Sequence, residues 1–151
     1  MKACTDKRCP FPGYRLTPKN GRTYEVNGVH LFTTGHQEKD VWYISFFEVG
    51  HEDAVHYVVT LDEFDLINSY HLNRISAVHP NAPRVGKYRH FKGNLYCVKN
   101  VLFSPSERRW FVSYKALYDE ALASSFIRTL EDFNKDVGDR EITPRFVLEA
   151  A

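Results

Sequence analysis

Residues 110–114 read Trp-Phe-Val-Ser-Tyr, and residues 42–46 read Trp-Tyr-Ile-Ser-Phe. These two stretches contain both tryptophans of the chain, and the other positions keep the size and character of the side chain. As a β-strand, each stretch would place successive residues on opposite faces, and its length is typical of a strand. One strand pattern present twice indicates a mainly β protein that contains an internal duplication.

Two further blocks repeat in the same order around these strands. Residues 21–29 match residues 93–101 at an offset of 72, and residues 60–64 match residues 129–133 at an offset of 69. The tryptophan strands themselves match at an offset of 68. An order kept at a nearly constant offset favours a tandem duplication. The alternative is coincidence, because short windows of any β-rich chain can be matched to one another.

The repeat divides the chain into four expected segments. They are an N-terminal arm (residues 1–12), a divergent first β-unit (13–79), a linker with two prolines (80–85) and a second β-unit (86–151). Each unit has four or five short strands and one helical turn, which begins after Thr60 or Thr129 because threonine followed by acids is a good helix start. Units this short bury little apolar surface. We therefore predict two small SH3-like or partly open β-barrels, which either stay separate or share a core.

Composition and charge narrow the class of protein. Aromatic residues make up 15% of the chain, which favours strands, and charged residues make up 26%, an ordinary value for a globular protein. The net charge of +1 does not favour binding to nucleic acid, although one face could still be basic. With three cysteines, no apolar leader at the N-terminus and no long apolar run, the chain is expected to be cytoplasmic and not in a membrane.

Basic residues of the second unit form the candidate binding site. Arginine makes bidentate contacts to carboxylate or phosphate, and histidine titrates near neutral pH. The expected ligands of a small anion are Arg89, His90, Lys92, Tyr114 and Arg128, with Arg145 nearby. Position 128 matches Val59 of the first unit, so such a site would exist in the second unit only. The alternative is that these residues form ordinary ion pairs at the strand edges.

Other chemistry-bearing patterns are weak. Cys4 and Cys9 are spaced C-x4-C, whereas zinc sites usually use four ligands in tighter pairs, so we expect no metal. A zinc site, the alternative, would need His36 or His79 as further ligands. The chain contains no H-E-x-x-H, nucleophile-elbow, P-loop or dinucleotide-binding pattern, and no cofactor is expected.

These observations predict a non-catalytic recognition module, built from two β-barrel-like repeats, that binds a protein segment or a small anionic ligand. The first alternative is a small enzyme that acts on a phosphorylated or carboxylated substrate, with His90 as acid or base and with Arg89 and Arg128 as clamps. The second alternative is a structural or inhibitory partner protein.

Four segments of the second unit carry a family resemblance. Residues 86–94 read Gly-Lys-Tyr-Arg-His-Phe-Lys-Gly-Asn, and residues 112–118, 127–133 and 144–146 follow in the family's order. Over residues 86–148 the chain resembles a bacterial family known as domain of unknown function 1653, which usually has proline where Thr129 stands and a threonine-bearing acidic loop at residues 104–109. The first unit resembles this family only faintly. The resemblance implies a small compact domain and brings no activity with it.

Overall fold

The structure is a computed structural model, which describes residues 4–19, 21–32, 40–67, 72–75, 77–118, 125–137 and 143–149. The elements of these residues, in chain order, are β1 (Arg15–Leu16), β2 (Tyr24–Phe32), β3 (Trp42–Glu48), β4 (His56–Thr60), α1 (Leu61–Phe64), β5 (Gly86–His90), β6 (Leu95–Ser104), β7 (Arg109–Ala116), β8 (Phe126–Thr129), α2 (Leu130–Asn134), β9 (Asp136–Val137), β10 (Thr143–Pro144) and β11 (Phe146–Leu148).

Six strands close one barrel, in the order β6, β4, β3, β2, β8, β7 and back to β6. The triplets β2–β4 and β6–β8 are antiparallel within themselves, and two parallel pairs, β4 with β6 and β2 with β8, join them. The mainly β prediction is confirmed. The sequence predicted two small barrels, whereas strands from both segments form a single one. A triplet alone would leave two open edges with unpaired backbone groups, and the parallel pairs satisfy both.

The division of the chain at residues 80–85 stays a prediction. Beyond that linker, β5 and β11 extend the sheet outside the barrel, because β5 pairs with β6 and β11 pairs with β5. Within the described ranges, no helix is long and apolar enough to cross a membrane.

Each long hairpin of the barrel contains a β-bulge. The register shifts between Val26 and Gly28 in β2 and between Val98 and Asn100 in β6. An extra residue bends a strand and increases its twist, which a small barrel needs in order to close. A bulge also changes which side chains face the interior beyond it.

The apolar core has three parts. The barrel interior contains buried side chains from five strands, namely Tyr43, Val58, Leu102, Phe111 and Ile127, and Phe32 packs against them. Outside the barrel, Leu61 and Phe64 of α1 cover the first triplet, and Leu130 and Phe133 of α2 cover the second. The interior of a six-stranded barrel is narrow, so a few large side chains fill this part of it.

The two short helices begin where the sequence predicted. The Thr60 hydroxyl accepts a hydrogen bond from the Glu63 backbone N–H (3.1 Å), and the Glu63 carboxylate accepts one from the Thr60 N–H (2.8 Å). At α2, the Thr129 hydroxyl accepts from the Asp132 N–H (3.1 Å). These bonds satisfy backbone donors that the first helical turn leaves without partners. The bond at α2 also fixes the backbone of Asp132, a residue of the candidate site described below.

Candidate functional site

A group of cationic side chains lies against the outer face of the second triplet, beside α2, β5 and β11. Arg128 belongs to β8, His90 ends β5, and Arg145 precedes β11. Arg128, Arg145 and Lys92 are close enough to His90 for their charges to influence its titration. We call these four residues, together with Asp132, the basic cluster.

Arg128 is the most enclosed cation of the cluster, with only 13% of its side chain exposed. Its Nη1 lies 2.5 Å from a carboxylate oxygen of Asp132, and its Nε donates to the Tyr114 hydroxyl (3.3 Å). Its guanidinium carbon lies 5.8 Å from the centre of the Phe146 ring. The aromatic face and the carboxylate hold the guanidinium in one orientation.

Arg145 shares the same carboxylate at a longer distance. Its Nη2 lies 3.8 Å from the other oxygen of Asp132, and its side chain is 20% exposed. Its Nε is buried and has no hydrogen-bond partner among the described residues. The Phe91 ring lies 6.0 Å from the Arg145 guanidinium and 5.8 Å from the Lys92 ammonium. Two guanidiniums therefore share one carboxylate, and with the Lys92 ammonium nearby the cluster keeps an excess of positive charge.

His90 does not add to that charge at neutral pH. Burial, and in second place the charges of Arg128, Arg145 and Lys92, lower the pKa of His90 from 6.5 to about 4. Its Nδ1 accepts from the Lys92 backbone N–H (3.3 Å), and its ring lies 4.9 Å from that of Phe146. The sequence predicted titration near neutrality, but burial, and after it the neighbouring cations, disfavour the imidazolium.

The structure separates Arg89 from the other expected ligands. Arg89 is exposed, and its Nε lies 2.6 Å from a carboxylate oxygen of Glu149. Neighbours along a strand face opposite sides, so Arg89 and His90 diverge. His90, Lys92, Tyr114 and Arg128 come together as expected, with Arg145 beside them.

A second polar group lies at the β2 bulge, where sequence reasoning placed no site. A cleft of about 570 Å³ opens there, and its lining includes side chains of both triplets and of the N-terminal arm. His30 and Ser45 in its lining are 7% and 2% exposed. Lys99 is the charged side chain of that lining, together with neutral histidine, serine and asparagine groups.

A directed chain of hydrogen bonds crosses this group. The Glu52 carbonyl can only accept, so His56 Nε2 donates to it (2.7 Å), and His56 Nδ1 accepts from the Asn27 amide nitrogen (2.9 Å). The Asn27 oxygen then accepts from Ser45 (2.5 Å), which leaves Ser45 to accept from His30 Nε2 (2.7 Å).

The hydrogen-bond chain ends at Ser125, which directly precedes β8. Burial lowers the pKa of His30 from 6.5 to about 4, so the ring is neutral and Nδ1 accepts from the Ser125 hydroxyl (2.6 Å). Gly28 is needed beside this ring, because an added Cβ would lie 2.9 Å from His30 Nε2 and 3.0 Å from Ser45 Oγ. The one signal in the sequence was a glycine in mid-strand, which often marks a bulge.

The described residues contain no group of three or more histidine, cysteine or acidic side chains that could hold a metal ion. His36, one of the residues considered for zinc, lies outside the described residues. Cys4, Cys9 and Cys97 are free thiols.

Comparison with known proteins finds a family model that matches one segment of the chain. Residues 86–148 match the model of a family described as a protein of unknown function, DUF1653, which confirms the resemblance predicted for this segment. A crystal structure of a DUF1653 protein from Bordetella bronchiseptica is 28% identical, covers 48% of this chain and 97% of its own, and aligns with a TM-score of 0.41. No curated protein matches the chain.

Proposed function

We propose that the protein is a non-catalytic recognition module that binds a small anion, a carboxylate or a phosphate, at the basic cluster. One observation carries the proposal: two largely enclosed guanidiniums, those of Arg128 and Arg145, share the single carboxylate of Asp132. A cation with little access to water needs a counter-charge and hydrogen-bond acceptors. Asp132 supplies these for Arg128 and only distantly for Arg145.

An anionic ligand would supply the counter-charge and the hydrogen-bond acceptors that Asp132 provides only distantly for Arg145. Phosphate and carboxylate present several acceptor oxygens to planar guanidinium donors, and the buried Arg145 Nε is a donor without a partner among the described residues. Lys92 is exposed and can approach from the open side. The proposed ligand therefore lies among Arg128, Arg145 and Lys92, next to the ring of Phe91.

A recognition role fits His90 better than acid or base catalysis does. With a pKa of about 4, the ring is neutral at neutral pH. It therefore has no imidazolium proton to donate as a general acid, and it is a weak base. Arg89, the other clamp of the enzymatic alternative, pairs with Glu149 on the opposite face of β5.

The barrel is also proposed to be a tandem duplication, with residues 13–79 as the divergent copy. Support comes from the strand registers. Ser45 pairs with Gly28 and Val58, whereas Ser113 pairs with Asn100 and Ile127, and each pair is shifted by nearly the same number of residues. Both bulges, both capped helices and both parallel joints fall at matching positions.

This proposed relationship makes the basic cluster a property of one copy. Ile44 pairs with Val59 as Val112 pairs with Arg128, so an apolar residue stands where the second copy has its enclosed cation. Val59 is fully buried against the α1 side of the barrel. The first copy would therefore contribute structure, and the second copy the binding site.

Titration calorimetry with inorganic phosphate and with acetate tests the proposal. Arg128→Gln should weaken binding of the better anion by about tenfold, because it removes a charged hydrogen-bond donor. Lys92→Gln, at an exposed position where folding is not at risk, should weaken it by about threefold. Arg89→Gln is the matched control on the opposite face and should leave the affinity unchanged.

Three results would contradict the proposal. They are the absence of binding of either anion to the wild-type protein, an Arg128→Gln or Lys92→Gln variant with wild-type affinity, and a loss of affinity in Arg89→Gln as large as in Arg128→Gln. Proton NMR of the His90 ring in each variant shows whether the cluster keeps its fold, because that ring touches Phe146 and Phe91.

A further inference from the structure

The N-terminal arm brings two cysteine side chains together. The Cys9 backbone N–H donates to the Asp6 carbonyl (3.0 Å), which closes a tight turn and reverses the chain. The Cys9 thiol donates to the Pro10 carbonyl (3.8 Å), and the reversal places the Cys4 side chain close enough to influence the titration of Cys9. Both side chains pack on the apolar cluster under α1, and both border the cleft at the β2 bulge.

Charged groups hold this turn in place. Arg8, at the tip of the turn, pairs with Asp6 (3.0 Å) and reaches α1 and its end, where it contacts Asp62 (2.7 Å) and Asp65 (3.2 Å). Single exposed ion pairs contribute little, but one guanidinium shared among three carboxylates fixes an orientation. The two sulfur atoms are thus held near each other before any reaction.

We propose that Cys4 and Cys9 are a redox modification site, at which a small disulfide such as oxidised glutathione closes an intramolecular disulfide bond. In the first step, the Cys4 thiolate attacks one sulfur of the small disulfide and releases one glutathione. In the second step, the Cys9 sulfur attacks Cys4, the new S–S bond forms and the second glutathione leaves. The protein pair loses two electrons and two protons, and the small disulfide gains them as two thiols.

The environment of the Cys9 thiol assigns the order of these steps. Burial, followed by the contact with Cys4, raises the pKa of Cys9 to about 12. Cys9 therefore stays protonated at neutral pH and reacts only after Cys4 has been activated next to it. Because the thiolate of Cys9 is not stabilised, the reduced state gains nothing from ionisation there, which favours the closed disulfide.

Cys97 provides the internal control. It belongs to β6, and its thiol donates to the Val98 carbonyl (3.8 Å). The sequence also separates the three thiols for analysis, because trypsin leaves Cys4 in peptide 3–7, Cys9 in peptide 9–15 and Cys97 in peptide 93–99. A bond between Cys4 and Cys9 therefore appears as one linked pair of peptides.

The test is equilibration of the folded protein in glutathione buffers of stepped composition, followed by acid quenching, alkylation, digestion and mass spectrometry. The expected product is peptide 3–7 linked to peptide 9–15, with an equilibrium constant about tenfold above that of the same chain in guanidinium chloride, because the folded arm holds the sulfurs together. Cys97→Ser should leave the linked peptide unchanged. Cys4→Ser and Cys9→Ser should each abolish it.

Several outcomes would overturn the inference. They are glutathione adducts that accumulate on Cys4 of the wild-type protein without closing, linkage of either arm peptide to peptide 93–99, and an equilibrium constant that guanidinium chloride leaves unchanged. The last result would show that the linkage reflects only closeness in sequence. Phosphate titration of the closed protein keeps this inference separate from the basic cluster, because the proposed anion site does not include the arm.

Discussion

Lowering the pH from 7.5 to 5 should destabilise the protein through His30. This ring is 7% exposed, and hydroxyl groups of Ser45 and Ser125 occupy both of its nitrogens. Burial lowers its pKa from 6.5 to about 4. The unfolded chain therefore takes up a proton between these values, whereas the folded protein does not.

The sign and size of the effect follow from this difference. A histidine whose pKa is depressed by folding contributes stability above its unfolded pKa, and that contribution is lost as the pH falls towards the folded value. With a shift from 6.5 to about 4, the loss between pH 7.5 and pH 5 is about 2 kcal/mol. His90, whose pKa is also lowered, acts in the same direction.

Urea unfolding at pH 7.5, 6 and 5 of the wild-type protein and of His30→Gln measures this contribution. Glutamine does not titrate, so the wild type should lose about 2 kcal/mol more than the variant over this range. Subtracting the two pH profiles removes the contribution of His90 and of the carboxylates. Equal losses in both proteins, or an NMR titration of His30 with a midpoint near 6.5, would refute the reasoning.

Three further perturbations probe the same structure. Gly28→Ala should cost roughly 2–3 kcal/mol in urea unfolding, because the new methyl group meets His30 and Ser45, and the cost should shrink in a His30→Ala background, which provides room. Thr60→Ala should cost about 1 kcal/mol and more than Thr129→Ala, because a reciprocal capping box is present only at α1, and thermal unfolding of both variants decides this. Asp132→Asn should tighten phosphate binding severalfold in calorimetry, since it removes the carboxylate that competes for Arg128 and Arg145, and weaker binding would count against the proposed site.

Local patterns in the sequence were enough to locate the two tryptophan strands and both helices. The alternation around Trp42 and Trp110 marks β3 and β7, and the Thr60 and Thr129 caps mark the two helices, because these signals arise from neighbouring residues. The closed barrel was not predictable in the same way. Its two parallel joints pair strands that are distant in sequence. No short turn connects the paired strands, so no local signal in the sequence identifies the partner strand.

The candidate site was predicted in part for a similar reason. Side-chain type alone brought Arg89 into the expected set, whereas the alternation of β5 separates it from His90, so the strand period already contained the correction. The hydrogen-bond chain through His30 and Ser45 was not predicted, because the bulge at Gly28 shifts the alternation of side chains along β2. A shift of one residue reverses which side chains face the interior.

The proposed duplication explains why the basic cluster lies outside the barrel. Interior positions of both copies meet in one narrow space, so a change in one copy must fit the other, and Tyr43 and Val58 accordingly match the apolar Phe111 and Ile127. The outer faces are covered separately, one by α1 and one by α2. A cation at position 128 therefore needs only a local counter-charge, which Asp132 provides four residues further along the chain. On this reasoning, new binding groups arise on the outer face of a single copy, where they leave the shared interior unchanged.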